Sequence, residues 1–277
     1  DLAIAGSSTS GATSSIYRND GGSFNEHGAG LQGVTNASLA WGDYDGDGDL
    51  DLALCGGQGG WNRVSMIYKN EAGTFTDIGA GLLGASEGSL AWGDYDGDGD
   101  LDLAISGYSH GSYRGITKIY NNSEGSFTDI GGDLEGAWNG SLAWGDYDGD
   151  GDLDLAIAGY GHDSWQGFSR IYNNSEGIFR DMEAGLKHMV QSSLAWGDYD
   201  GDGDLDLVIA GQGGDTVIYE NTLNLYNSFP QQPDTLSTEI AYSGPDYDVT
   251  FNWNDGTDTE TPANALSYVL KVGTAPG

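Results

Sequence analysis

This chain of 277 residues is short of positive charge, cysteine, proline and helical pattern. Lysine and arginine number 9 against 43 aspartates and glutamates, for a formal charge of −34. Nucleic acid and anionic membranes both demand a basic face, so neither is expected as a partner. One cysteine, Cys55, leaves no intrachain disulfide. Five prolines against 48 glycines speak for many tight turns and against a Pro-rich disordered chain. No apolar run approaches the ~18 residues of a membrane span, so no membrane insertion is expected. No long stretch carries the helical period. The N-terminus shows no signal peptide, but the chain opens inside a repeat and reads as a fragment.

What is present is repetition. The string Trp-Gly-Asp-Tyr-Asp-Gly-Asp-Gly-Asp-Leu-Asp-Leu occurs four times, its acidic loops starting at Asp43, Asp94, Asp146 and Asp198 with spacings of 51, 52 and 52 residues. The candidate metal residues are Asp43, Asp45, Asp47, Asp49 and Asp51 in the first loop. They are Asp94, Asp96, Asp98, Asp100 and Asp102 in the second, and Asp146, Asp148, Asp150, Asp152 and Asp154 in the third. The fourth loop holds Asp198, Asp200, Asp202, Asp204 and Asp206. A carboxylate at every second position is repulsive unless a cation sits among them. Positions 1, 3, 5 and 9 offer side-chain oxygens, position 7 offers its carbonyl, and the glycine at position 6 lets the chain curl. An all-oxygen set rich in carboxylates suits Ca²⁺, with one ion per loop and about four in all. The loops contain no histidine or cysteine, which removes Zn²⁺. An EF-hand is removed as well, because position 12 is Leu54 and the flanks alternate with a period of two, as strands do. Outside the loops 22 acidic residues still face 9 basic ones, if Asp1 is taken as the end of a fifth loop.

Each period contains four strand-like pieces. In the second full unit these are Ser89 to Gly93, Leu101 to Ser106, about Thr117 to Asn121, and about Ser126 to Ile130. The third piece repeats an Ile-Tyr pair at 16–17, 67–68, 119–120, 171–172 and 218–219, and the fourth repeats Phe24, Phe75, Phe127 and Phe179. Cys55 aligns with Ala5, Ser106, Ala158 and Ala210, so it reads as a small packed residue. Four antiparallel strands in ~50 residues is the size of one β-propeller blade. The expected fold is all-β: an incomplete ring of four-stranded blades, plus a partial β-sandwich.

On these motifs, residues 1–222 resemble the FG-GAP/VCBS repeats of integrin α-like calcium-binding propellers. The Asp-x-Asp-x-Asp-Gly-x-x-Asp loops match that family's calcium site in all four copies. Trp41-Gly42 and its repeats stand where the family has Phe-Gly, and the Gly-Ala-Pro element is missing, which points to the bacterial branch. Residues 223–233, with Phe229-Pro-Gln-Gln-Pro233, read as a linker. Residues 234–277 alternate like strands at 249–253 and 266–272. They resemble a truncated fibronectin type III or Ig-like module with Trp253 in its core.

The second-to-third-strand connections vary and carry aromatics. With one neighbouring connection they supply the candidate ligand-binding residues Trp61, Tyr108, Tyr113, Trp138, Tyr160 and Trp165, on the face opposite the calcium loops. Such rings suit a protein or glycan ligand, or they merely cap the core between blades. The expected function is a binding or adhesion module of a secreted or cell-surface protein, joined to neighbouring domains of a larger chain, with calcium structural. The alternatives are the propeller part of an extracellular carbohydrate-active or lipase-like enzyme, or a spacer. No catalytic constellation stands out. Gly107-Tyr-Ser-His-Gly111 matches a nucleophile elbow only formally, because a strand and not a helix follows it. The Gly-x-Gly-x-x-Gly runs at 28–33 and 79–84 lead into a loop and a strand rather than a helix, so their glycines belong to turns.

Overall fold

The computed structural model describes residues 1–9, 11–109, 114–162, 166–212 and 216–223, and the backbone of 236–243 and 246–253. The described chain is all-β, and every paired strand is antiparallel to its neighbour. Strands β1 (Leu2–Ser8), β2 (Gly11–Asp20) and β3 (Ser23–His27) form a three-stranded sheet. Next comes a four-stranded meander of β4 (Thr35–Gly42), β5 (Asp51–Gly59), β6 (Asn62–Glu71) and β7 (Thr74–Asp77). A second unit contains β8 (Ser86–Gly93), β9 (Asp102–Ser109), β10 (Arg114–Ser123) and β11 (Ser126–Asp129). A third contains β12 (Ala137–Gly145), β13 (Asp154–Gly161), β14 (Gly167–Ser175) and β15 (Ile178–Asp181). Then follow β16 (Val190–Gly197), β17 (Asp206–Gln212) and β18 (Thr216–Tyr219). Strands β19 (Leu236–Ser243) and β20 (Asp246–Trp253) pair as a separate hairpin. The expected strand at 266–272 falls outside the described residues.

The second and third units share one eight-stranded sheet, but a single residue pair, Ile116 with Ala137, joins them. Bridges Thr13–Val34 and Val64–Ala85 occupy the matching place between earlier units. From β1 to β15 the chain is thus a row of like units, each touching the next in the same way.

The core lies between sheets, because a single sheet has no interior of its own. In β5, Leu52 and Leu54 pack against Ile16 and Val34 of the preceding unit, while Ala53 and Cys55 pack toward Leu103 and Ile105 of the following one. Leu155 and Ile157 repeat the pattern backwards, and Ala156 and Ala158 forwards. Side chains alternate across a strand, so large residues on one face meet small residues on the next sheet. Cys55 is fully buried and unpaired, and burial pushes its thiol up to about 12. It is a packing residue.

Two local features escape the simple alternation. The first strand of each unit has a register shift, between Thr35 and Ser38, Ser86 and Ser89, Trp138 and Ser141, and Val190 and Ser193. Asn36, Glu87, Asn139 and Gln191 sit there at φ of 48°, 54°, 52° and 45°, and all four line a cavity of about 590 Å³. The bulge explains why β8 begins at Ser86, three residues before the alternating pattern becomes visible.

The second feature is the Trp-Gly pair. A side chain on Gly42, Gly93 or Gly145 would put its Cβ 2.6, 2.7 or 2.6 Å from the indole of Trp92, Trp144 or Trp196 in the next unit. Those indole N–H groups donate back to the carbonyls of Ala40, Ala91 and Ala143 at 3.1, 3.2 and 3.2 Å. Glycine supplies the socket and tryptophan fills it, with a hydrogen bond that phenylalanine could not make.

Candidate metal centre and aromatic end

Each acidic loop closes the hairpin between the first and second strands of a unit. Gly42 is the cross-strand partner of Asp51, and Gly93, Gly145 and Gly197 pair likewise with Asp102, Asp154 and Asp206. Position 1 therefore leaves the first strand just where position 9 enters the second. That geometry brings carboxylate oxygens of positions 1, 3 and 9 within 4.8 Å of one another: Asp43, Asp45 and Asp51; Asp94, Asp96 and Asp102; Asp146, Asp148 and Asp154; Asp198, Asp200 and Asp206. These four clusters are compatible with calcium coordination.

Backbone hydrogen bonds shape the loop. Asp43 accepts from the N–H groups of Asp47 and Gly48 at 3.1 and 3.0 Å, and Asp94 and Asp146 accept the same pair in their own loops. Gly48, Gly99, Gly151 and Gly203 lie at φ between 93° and 98°, where a side chain is strained. Positions 5 and 7 fall outside these three-carboxylate clusters. Asp47 Oδ1 accepts from Asp49 N–H. The side chains of Asp49, Asp100 and Asp152 accept from Ala72, Glu124 and Glu176 at the third-to-fourth-strand turn. The position-7 side chain thus tethers the acidic loop to the turn between the third and fourth strands. Asp98, Asp150 and Asp202 at position 5 accept from the position-7 N–H as Asp47 does. Asp204 is itself buried.

Position 9 is the anchor. Asp51, Asp102 and Asp154 are fully buried and Asp206 nearly so. Asp102 accepts from the N–H groups of Tyr95 and Asn122 at 3.1 and 2.7 Å, and Asp154 from Tyr147 and Asn174 at 2.9 and 2.8 Å. Asp1 accepts from Asn19 N–H at 2.9 Å, the bond that Asn122 and Asn174 make to the position-9 aspartates. Burial pushes the Asp51 carboxyl up to about 6 and those of Asp102 and Asp154 to about 7. The backbone donors hold them down, and the carboxylates at positions 3 and 5 (for Asp154, positions 1 and 3) add to the rise. Asp148 Oδ1 is buried with no hydrogen-bond partner. A buried acceptor without a donor, beside two more carboxylates, is a site whose chemistry fits a cation.

A pH dependence follows for metal-stripped protein. The unfolded carboxyls titrate near 3.9, so between about pH 4 and 7 the native state holds more protons than the unfolded one. Stability from Asp51, Asp102 and Asp154 is fully present below that range and is lost as pH rises through 6 to 7. Calorimetry of stripped protein should give a lower melting temperature at pH 7.5 than at pH 4.5. Saturating calcium should reverse the order, since ligation needs the ionised form. A stripped protein that gains stability with rising pH would contradict these shifts.

The residues that sequence reading missed are Asn70, Asn122, Asn174 and Asn221, two places after the Ile-Tyr tyrosine. Asn122 Nδ2 donates to Leu101 O of its own loop at 3.1 Å and to Tyr44 O of the preceding unit's loop at 2.8 Å. Asn174 does the same to Leu153 and Tyr95, and Asn221 to Leu205 and Tyr147. Each of these three asparagines ties two acidic loops together. The signal is visible in the sequence, because asparagine follows Ile-Tyr-x in all five copies. The tyrosines hold the chain in a matching way. The hydroxyls of Tyr68, Tyr120, Tyr172 and Tyr219 accept from the backbone N–H groups of Gln32, Leu83, Glu135 and Lys187, which fixes the connection leading into each tyrosine's own unit.

The candidate ligand residues lie at the other end of the strands. Tyr108, Trp138 and Tyr160 are in β9, β12 and β13, not in loops, because strand pairing reaches them: Tyr108 pairs with Gly115, and Tyr160 with Gly167 and Trp138. Trp138 and Tyr160 are cross-strand partners with rings stacked at 4.8 Å. Tyr108 of the preceding unit meets Trp138 edge-on at 6.0 Å, and the Arg63 guanidinium lies 5.7 Å from the Tyr108 centroid. The structure thus brings three rings and a cation from successive units into one half-buried row. Trp61 is 68% exposed in the β5–β6 turn. Tyr113 and Trp165 fall outside the described residues. His162 is tied into the fold by Arg114 and the Gly115 carbonyl at 2.7 and 2.8 Å. Ser109, of the nucleophile-elbow look-alike, is buried inside β9. Gly33 and Gly84 are close-approach positions, where a Cβ would meet the carbonyl oxygens of Ala12 and Arg63 at 2.5 and 2.1 Å. No helix among the described residues is long and apolar enough to cross a membrane.

Comparison with protein families gives two matches. Residues 1–54 and 53–105 each match the FG-GAP-like repeat, and residues 138–173 and 190–223 each match the FG-GAP repeat. No curated protein matches the chain.

Proposed function

Since the matched segments belong to the FG-GAP repeat family, we propose that this chain is an arc of a calcium-stabilised β-propeller. It serves as a binding module of a larger secreted or cell-surface protein. Residues 1–222 make the propeller arc, 223–233 a linker, and 234–277 part of a fibronectin type III or Ig-like sandwich. The observation that carries the reading is the fourfold recurrence of three converging carboxylates, one of them buried where the second strand begins.

Calcium's part is structural. When bound, it supplies the positive charge that lets three or more carboxylates share one loop. The side chains at positions 1, 3 and 9 hold it, helped by position 5 and by the carbonyl at position 7. The protein's own contribution is to fix position 9 with two backbone donors and position 1 with two more, so that the oxygens are in place before an ion arrives.

Recognition belongs to the opposite end, at Tyr108, Trp138 and Tyr160, with Trp61 exposed in the β5–β6 turn. Stacked rings next to Arg63 suit a glycan or a protein ligand, which also presents flat apolar faces edged with polar groups.

Isothermal titration tests the calcium half of this reading. Stoichiometric binding by several loops per chain is expected, with Mg²⁺ a weaker competitor. Titration without heat or saturation at millimolar calcium would refute it. Glycan-array binding that is abolished by Trp138→Ala with calcium uptake intact would support the recognition half. A Trp138→Ala variant as competent as the parent would move the ligand elsewhere.

A further inference from the structure

The four loops carry the same five aspartates, but the structure sets three kinds of side chain against them. The position is the residue just after the Ile-Tyr pair, on the third strand of the unit: Lys69, Asn121, Asn173 and Glu220. Lys69 Nζ lies 2.7 Å from Asp45 and 3.5 Å from Asp47, with Glu71 at 3.4 Å. Asn121 donates its amide to Asp96 at 2.7 Å, and Asn173 donates to Asp148 at 2.6 Å. Glu220 approaches the fourth loop through Tyr199, whose hydroxyl donates to it at 3.4 Å. In the three loops where that position reaches position 3, the contact is thus a cation once and a neutral amide twice. The fourth loop gains a carboxylate in place of either.

We infer that this one position grades the four loops as calcium sites, and that Lys69 makes the first the weakest by serving as its built-in counter-ion. The inference rests on the calcium reading proposed above. Two effects act together in the first loop. The ammonium already satisfies Asp45, a member of the carboxylate cluster with Asp43 and Asp51, so an ion must displace or share it. At this one position the charge is also one unit more positive than in the second and third loops and two units more than in the fourth, with Glu71 offsetting part of the Lys69 charge. One unit charge about 5 Å from a divalent ion changes affinity roughly tenfold even when screened as in water. The amides of Asn121 and Asn173 cost an ion much less, because they hold position 3 by one oxygen without neutralising it. In the third loop the other oxygen, Asp148 Oδ1, stays buried and without a partner. The order of filling is then the fourth loop first or level with the second and third, and the first last.

The test is a calcium titration of the full chain followed by ¹H–¹⁵N correlation spectra. The position-6 glycines Gly48, Gly99, Gly151 and Gly203 donate to position 1 in their loops, so each amide reports its own site. The Gly48 midpoint should lie roughly tenfold above those of Gly99 and Gly151. Lys69→Asn, which installs the side chain of the sibling loops, should bring it level with them. Asn121→Lys should raise the Gly99 midpoint by a similar factor and leave Gly151 unchanged. A common midpoint for all four glycines, or a Gly48 midpoint indifferent to Lys69→Asn, would overturn the inference while leaving calcium binding standing. If no glycine responds to calcium, the calcium reading falls and this inference with it.

Discussion

Stripping calcium should lower the thermal unfolding midpoint of this chain by roughly 15–30 °C. Ligand held by the native state alone adds RT ln(1 + [L]/Kd), or about 2.7 kcal/mol per site at a hundredfold excess. Three well-filled loops then contribute on the order of 8 kcal/mol, and a domain of this size shifts by about 2–4 °C for each kcal/mol. The structural reason lies at position 9. Asp51, Asp102 and Asp154 are buried where the second strand begins, and their backbone partners come from the loop and from the third strand. An unneutralised cluster therefore strains three strands at once. Circular dichroism melts in calcium and in excess chelator would measure the change, with Mg²⁺ as the control. Coincident melts would mean that the hydrogen bonds to the carboxylates suffice without a cation.

Asn174→Leu should cost roughly 3–6 kcal/mol in calcium. The side chain is fully buried. It donates to the carbonyls of Leu153 and Tyr95 at 3.1 and 2.7 Å and accepts from Gly177 N–H at 2.9 Å. Leucine fills a similar volume and answers none of these groups, and each buried group left unpaired costs about 1–3 kcal/mol. Asn70→Leu supplies the comparison. Asn70 accepts from Gly73 and donates to Leu50 at 2.8 and 3.0 Å, and its described bonds stay inside its own unit. Its loss should cost about half as much. Denaturant unfolding of both variants would decide, and equal costs would show that the bond between loops adds nothing.

Much of this architecture is legible in the sequence because it is written four times. Like charges at alternate positions have few stable arrangements, so the loops identify themselves. Strand alternation then locates the flanking elements to within a few residues. The rest is hidden for physical reasons. The bulge at Asn36, Glu87, Asn139 and Gln191 occupies positive φ with residues that do not advertise it, and it delays the visible alternation. Tyr108 and Tyr160 stand near glycines, which in sequence suggests loops, but strand pairing reaches both residues. The position-1, -3 and -9 grouping depends on the hairpin that returns position 9 beside position 1, and spacing alone treats all five aspartates alike. Asn122 and its siblings escape notice because their partners are carbonyls in another unit.

The Trp–Gly socket has a genetic consequence. Trp92 on Gly42, Trp144 on Gly93 and Trp196 on Gly145 are one contact made three times, each with an indole bond back to an alanine carbonyl. A unit carries its plug and its socket in the same dipeptide, so any unit fits behind any other. Duplicating or deleting one whole period, 51 or 52 codons, leaves a Trp-Gly pair to make this contact at each remaining junction. At this contact, then, the number of units can change by whole periods without a new pair of surfaces having to be matched.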